Sequence, residues 1–375
     1  MGFANLLFDK FVSWGFNSYA GWTADEFAII TEERYQNEQD YFPMYRVLSL
    51  CRMGEDKDYY AMNRDGKMKD GNHSFADPFN PVWRKEARQK ALDQIPAYRD
   101  KPWFVGWYID NEINLDDLFT YVYAEYSGKE FIKQLQNKYQ KIEGLNQNWT
   151  SPFGQYDYAS FEDILNDKPV PKDWDDPLYK DFTDFERVMV KEYIDFTYDL
   201  VKELDPNHIV ISNRINLGPM PELYRTMDLW GRYDLICMNI YPQNLLFGFA
   251  PGELDIMKRL HEGTGRPVII GEWSVPAIGP ELYSFGVDPY DRPLDWSWPQ
   301  VVRNQEERGE VYHACMMQLS ALDFMVGAGW YKPIDVNSPV RRANRGLING
   351  NFEPYEVMVD SIKETNLTIK EKMNL

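Results

Sequence analysis

Apolar residues fall along this chain in short unbroken runs, and stretches of helical periodicity separate the runs. Phe104-Val-Gly-Trp-Tyr-Ile109 is the clearest run, and 209–214, 235–241, 267–273 and 327–331 have the same character. Runs of this kind, four to eight residues long and apolar on both faces, lie buried in parallel sheets. Between them the spacing predicts helices over 81–98, 182–204, 222–230, 253–261, 305–324 and 355–364. Pro81 suits a first helical turn, where its missing N–H has no partner to lose. Nearer the start, a helix over 6–14 stops at Gly15, a strand and its loop occupy 16–22, and a second strand covers 45–50. Gly15 is a natural helix stop because it tolerates left-handed backbone.

Strand–helix alternation sustained in this way implies parallel strands with helical crossovers. Seven strands can be placed, and an eighth, third in order, is expected within the irregular stretch 51–80. Eight units predict an α/β chain folded as a (β/α)8 TIM barrel, one catalytic domain over 1–375. The absence of a glycine-rich phosphate loop weighs against an open dinucleotide-binding sheet. The alternation breaks at about 113–181, after the fourth strand. This insertion holds a helix at 129–142 and then an aromatic, proline-rich segment with Trp149, Phe153, Tyr156, Tyr158 and Trp174. It reads as a lid or subsite wall above the barrel mouth; the alternative is a solvated excursion packed by its own aromatics.

Charge narrows the partners. A net charge of −19 argues against nucleic acid and anionic membrane. No run reaches the roughly 18 apolar residues of a membrane span. Neutral ligands fit this surface better, and 12 Trp with 25 Tyr give many flat faces for sugar rings. The three cysteines, Cys51, Cys237 and Cys315, cannot build a disulfide framework. Four histidines, none paired at metal-ligand spacing, give no zinc signature, so no metal or organic cofactor is expected. The first 15 residues lack the basic start and apolar core of a signal peptide. The expected location is therefore cytoplasmic, or secreted or periplasmic if a leader has been removed.

The candidate chemistry sits where apolar runs end. The run 104–109 stops at Asp110-Asn111-Glu112, and Val268-Ile-Ile-Gly271 stops at Glu272-Trp273. In an α/β barrel the C-terminal strand ends carry the reacting groups. A carboxyl at the mouth of a dry strand can have its pKa raised by desolvation, as a general acid requires. A lone Glu would more simply cap the next turn. Two at corresponding strand ends are the machinery of glycoside hydrolysis, with retention of configuration when they stand about 5–5.5 Å apart.

Asn111-Glu112 after the fourth strand and Glu272 after the seventh resemble the clan A glycoside hydrolases, which are retaining (β/α)8 enzymes. Within that clan the chain resembles the agarases of glycoside hydrolase family 50 and the galactosidases of family 42. The matching segments are Trp14-Gly-Phe-Asn17, Asp77-Pro-Phe-Asn-Pro81, Tyr108-Ile-Asp-Asn-Glu112, Leu145-Asn146 with Trp149, Ser212-Asn-Arg214, Gly271-Glu272, Asn344-Arg-Gly-Leu347 and Pro354-Tyr355. The resemblance implies Glu112 as acid/base, Glu272 as nucleophile and Asn111 on the sugar 2-hydroxyl. It implies Tyr241 holding the nucleophile, Trp330 stacking beneath the sugar, and Arg214 and Arg46 bracing carboxylates or binding hydroxyls. Trp273 and His73 complete the candidate substrate-binding set. A packing or ion-pair role is the alternative for each of these supporting residues. The segment Trp330-Tyr-Lys-Pro-Ile-Asp335 departs from an agarase pattern, which bears on the glycan more than on the chemistry.

The expected function is a retaining β-glycoside hydrolase of agarase-like type, acting on a β-linked galactan polysaccharide or oligosaccharide. The alternatives are a β-galactosidase, glucanase or mannanase of the same clan, or a non-catalytic carbohydrate-binding barrel. The expected partner is carbohydrate alone; oligomeric state is open.

Overall fold

The structure, a computed structural model, describes residues 2–51, 61, 63–66, 75–116, 118–150, 156–216, 221–243, 247–277, 301–338 and 341–373. In chain order the elements are α1 (Gly2–Ser13), α2 (Asp25–Gln36), β1 (Met44–Leu48), α3 (Pro81–Gln94), β2 (Phe104–Ile109), α4 (Leu118–Tyr121), α5 (Glu125–Tyr139), α6 (Ile142–Trp149), α7 (Asp163–Asp167) and α8 (Tyr179–Leu204). There follow β3 (Ile209–Ile211), β4 (Ile215–Asn216), α9 (Pro221–Trp230), β5 (Ile236–Asn239), α10 (Pro251–Thr264), β6 (Val268–Trp273), α11 (Gln305–Leu319), β7 (Met325–Trp330), β8 (Val336–Ser338), β9 (Arg341–Ala343) and α12 (Glu356–Met373). This is the alternating α/β pattern that the apolar runs imply. The chain divides into two compact units. The first comprises Met1–Arg46, Pro102–Gly106 and Leu235–Leu375; the second comprises Val47–Lys101 and Trp107–Asp234.

In the first unit β5, β6 and β7 pair in parallel, with Ile236 opposite Val268, Asn239 opposite Glu272, and Trp273 opposite Trp330. β6 is buried along its whole length, Glu272 and Trp273 included. The helices around these strands start where the sequence supplies acceptors for orphan N–H groups. Glu253 at the head of α10 takes the N–H of Ala250 (2.6 Å), and Asn304 takes the Glu307 N–H at the head of α11 (2.9 Å). Each such cap contributes about 1 kcal/mol. Gly265, in left-handed backbone, closes α10. The first strand expected from sequence is reduced to Tyr19, bridged in parallel to Met44. α2, which has little amphipathic contrast to mark it, and the antiparallel hairpin β8–β9 were not foreseen.

The second unit is organised on α8, whose 26 residues span about 39 Å. Phe182, Phe185, Met189, Val190, Tyr193, Ile194, Thr197, Leu200 and Val201 form its buried stripe. α3 starts at Asn80, whose side chain accepts from Val82 N, with Pro81 at the first position as expected. Strands β1, β2 and β3 are hydrogen-bonded in that order. β1 and β2 pair directly, Asp110 N donating to Leu48 O (3.0 Å); most of 51–80, where the third strand is expected, lies outside the described residues. Among its described residues Ala76 is fully buried between Phe75 and Asp77. Along the described chain Glu112 follows β2 and Glu272 lies on β6.

Among the described residues the insertion carries four helices, α4 to α7, where one was expected. The expected helix at 129–142 divides at Gln140, which takes φ 63° and lets α6 leave in a new direction. Asp181, in the first turn of α8, ties these pieces down. It accepts from Lys138 and Tyr139 of α5 and from Trp149 Nε1 of α6, the last two at 2.6 and 2.8 Å.

Candidate active site

Each predicted carboxylate is held within its own unit, by neighbours of its own. In the second unit the backbone leaves β2 through two non-glycine residues in left-handed conformation, Asp110 (φ 59°) and Glu112 (φ 50°). Such backbone costs an L-residue on the order of 1–2 kcal/mol. Asp tolerates it better than Glu because its short polar side chain can bond locally. The conformation persists only where the surroundings hold it, and here they do so on both sides of Asn111. Asn111 bridges Arg214 in parallel, and Glu112 N donates to Arg214 O (3.0 Å). Arg214 Nη1 donates to Asn111 Oδ1 (3.0 Å), and its guanidinium lies 5.9 Å from the Tyr108 ring centre. Ile113 N reaches Asn213 Oδ1 (3.4 Å).

Behind this tripeptide Asp110 is buried. Cys51 N donates to its Oδ1 (2.7 Å) and the Tyr193 hydroxyl to its Oδ2 (2.8 Å). Burial pushes the Asp110 carboxyl up to about 6, against the opposing pull of those hydrogen bonds. In the sequence Asp110 stands within a motif and has no assigned role; the available signal is a carboxylate set directly after a wholly apolar strand.

In the first unit Glu272 is buried on β6, opposite Asn239 of β5. Its Oε1 accepts from the Tyr241 hydroxyl, and its backbone O accepts from Ile240 N (3.1 Å). The Tyr241 ring has the Arg345 guanidinium 5.8 Å from its centre, and the Arg345 carbonyl accepts from Trp330 Nε1 (3.0 Å). Trp273 is fully buried, its ring packed among Phe249, Tyr312 and Trp330. Its environment is therefore core. Trp330 is part-exposed and stands edge-on to Trp273 at 5.0 Å. Its own position is fixed by Tyr312 and the Arg345 carbonyl.

Arg345 was missed as a separate candidate, although the segment Asn344-Arg-Gly-Leu347 was noted. Its neighbours are fixed by a buried network. Asp335 accepts from Gly346 N (2.6 Å), the Tyr355 hydroxyl (2.6 Å) and Asn344 Nδ2 (3.1 Å). Asn344 in turn accepts from Gln305, and Arg308 bonds Gln305 and the Val275 carbonyl. Burial pushes the Asp335 carboxyl up, partly offset by the Tyr355 hydroxyl.

Arg46 lies in the first unit, donating to Thr23 O (2.9 Å) and pairing with Asp25 (2.7 Å). It braces the loop that carries the half-exposed Trp22. His73 lies outside the described residues. A groove of about 550 Å³ in the insertion is lined by Tyr156, Asp157, Tyr158, Asp163, Asn166 and Asp167. Among the described residues no group of three or more His, Cys, Asp or Glu is placed to hold a metal ion.

An α/β chain with parallel strands ending in Asn-Glu and Gly-Glu, and a tyrosine hydroxyl on the second Glu, falls in the class of TIM-barrel glycoside hydrolases, and solved structures agree on the fold. An agarase, AgWH50C, superposes with a TM-score of 0.72 at 23% identity over 98% of this chain and 49% of that one. An exo-beta-agarase does so with a TM-score of 0.75 at 22% identity over 100% and 48%. The beta-galactosidase of the Antarctic haloarchaeon Halorubrum lacusprofundi gives 0.67 at 17% identity over 92% and 50%. The chain belongs to the glycoside hydrolase 42 family, described as beta-galactosidase, whose model matches residues 55–275 and so takes in both Glu112 and Glu272. Among curated relatives, Beta-galactosidase Bga of Halorubrum lacusprofundi is 25% identical over 227 residues, 59% of this chain and 31% of that protein. Beta-galactosidase BgaH of Haloferax lucentense is 27% identical over 189 residues, covering 50% and 28%. The matches thus span about a third of these curated relatives and half of the solved structures.

Proposed function

We propose that this chain is the catalytic part of a retaining β-glycoside hydrolase acting on β-galactosyl linkages, built on a (β/α)8 barrel with the insertion as a substrate wall. Glu272 attacks the anomeric carbon, forming an ester between that carbon and its carboxylate. Glu112 gives its proton to the departing glycosidic oxygen. Glu112 then takes a proton from water, the water oxygen bonds to the anomeric carbon, and Glu272 leaves as a free carboxylate.

The observation that carries this reading is the Tyr241 hydroxyl on Glu272 Oε1. It fixes one carboxylate oxygen by a charge-assisted bond and so orients the carboxylate for attack. Asn111, whose carbonyl end is taken by Arg214, offers its amide nitrogen to the sugar 2-hydroxyl. Trp330 stacks beneath that sugar, while Arg214, Arg46 and Trp273 hold the groups around it in place. Family membership favours small β-galactosides, and the agarase folds favour a β-linked galactan.

The test uses wild type and Glu272→Gly with aryl β-galactosides and agaro-oligosaccharides, with azide as external nucleophile. Turnover by wild type with retained configuration, and glycosyl azide formation by the variant, is the expected result. Unchanged turnover by a folded Glu272→Gly chain removes the nucleophile. Binding of galactan by wild type without any turnover supports a carbohydrate-binding protein instead.

A further inference from the structure

Asp110 lies beside the proposed acid/base yet takes no part in the mechanism above, and it is built into its place from three directions. Its carboxylate accepts from Cys51 N, just beyond β1, and from the Tyr193 hydroxyl on α8. Its own N–H donates to Leu48 O on β1. Asp110 is 2% exposed, so its carboxylate faces these partners and not substrate. The two residues that follow carry the candidate chemistry, and the backbone is left-handed at Asp110 and again at Glu112. A non-glycine pair in that conformation returns to extended backbone unless both flanks are held. Arg214 holds the far flank through Glu112 N and the Asn111 side chain. On the near flank the restraints run through Asp110.

We infer that Asp110 is the positioning residue for the acid/base: its carboxylate, clamped by Cys51 N and the Tyr193 hydroxyl, locks the left-handed exit from β2 and so aims Glu112 and Asn111 at the substrate. This rests on the reading of Glu112 as the acid/base. A one-residue relaxation at this point would turn the Glu112 side chain away while leaving the strands paired. The loss would therefore fall on proton delivery to the leaving group and not on every step alike.

Leaving-group dependence separates these cases. A 2,4-dinitrophenyl β-galactoside departs without a proton, whereas a phenyl β-galactoside needs one. General acid catalysis is worth about 10²–10⁴-fold. Wild type, Glu112→Ala, Asp110→Ala, Asp110→Asn and Tyr193→Phe are compared by kcat/KM on both substrates, with circular dichroism to confirm folding. The expected result is a phenyl-to-dinitrophenyl ratio lowered about 100-fold by Glu112→Ala and about tenfold or more by Asp110→Ala. Asp110→Asn keeps an acceptor for Cys51 N and recovers part of the ratio. Tyr193→Phe, which removes one clamp and keeps the ring, shifts it in the same direction and serves if Asp110→Ala does not fold. Equal falls on both substrates in the Asp110 and Tyr193 variants, with Glu112→Ala discriminating as expected, overturn the inference alone. If Glu112→Ala itself fails to discriminate, the acid/base reading falls and the inference falls with it.

Discussion

Replacing Tyr241 by phenylalanine removes one oxygen and leaves the ring that the Arg345 guanidinium faces at 5.8 Å. The lost bond runs from the Tyr241 hydroxyl to Glu272 Oε1, on a carboxylate that is 9% exposed and has little water to replace it. A hydrogen bond to a charged group is worth about 1.5–3 kcal/mol, and about 1.4 kcal/mol is a factor of ten in rate. The expected loss in kcat/KM on an aryl β-galactoside is therefore about 10- to 150-fold. KM is expected to change less than kcat, because the hydroxyl meets the proposed nucleophile and not the sugar. The assay pairs steady-state kinetics with trapping by a 2-deoxy-2-fluoro-galactoside, whose ester on Glu272 is read by intact mass. Trapping in Tyr241→Phe is expected to be slower by a similar factor, with the label still on Glu272. A folded variant whose kcat/KM falls less than about threefold would refute the reasoning, since the bond would then be worth under about 0.7 kcal/mol.

Asp181→Ala strips the insertion of its anchor to α8 and leaves Tyr139 OH and Trp149 Nε1 without their acceptor. At about 1–3 kcal/mol for each of these two donors, the expected loss is roughly 2–6 kcal/mol in urea unfolding, with new protease cuts within 113–181; a loss under about 1 kcal/mol would be contrary to this. Glu186, fully buried on α8, has its carboxyl raised from 4.5 to about 7 by burial, against the pull of Arg225. A folded-state pKa above the unfolded one means that its stabilising contribution is present below about pH 4.5 and is lost as pH rises through about 7. Glu186→Gln, which cannot ionise, should flatten the fall in unfolding free energy between those two pH values relative to wild type, and parallel pH profiles would contradict it.

How much of this was legible in the sequence follows from what each feature depends on. The apolar runs 104–109 and 267–273 were readable because a strand buried on both faces leaves an unbroken hydrophobic signature, and the carboxylates ending them stood out against it. The family resemblance implies that Tyr241 holds Glu272, and in the structure the Tyr241 hydroxyl donates to Glu272 Oε1. The direct pairing of β1 with β2 was not legible, for the opposite reason. Hydrogen bonding from Asp110 N to Leu48 O joins β1 and β2 directly, and no local pattern in either strand announces its neighbour. Asp110 was invisible as a candidate because the role proposed for it depends on Cys51, 59 residues before it, and on Tyr193, 83 residues after it. Arg345 was similarly hidden, since its placement follows from Asp335, Asn344 and Arg308, which only folding gathers into one network. The proposed reacting groups lie at the ends of local patterns and can be read one strand at a time. The groups proposed to aim them are fixed by contacts distant in sequence, so such a residue is found only after the chain is folded, even when it adjoins the proposed acid/base.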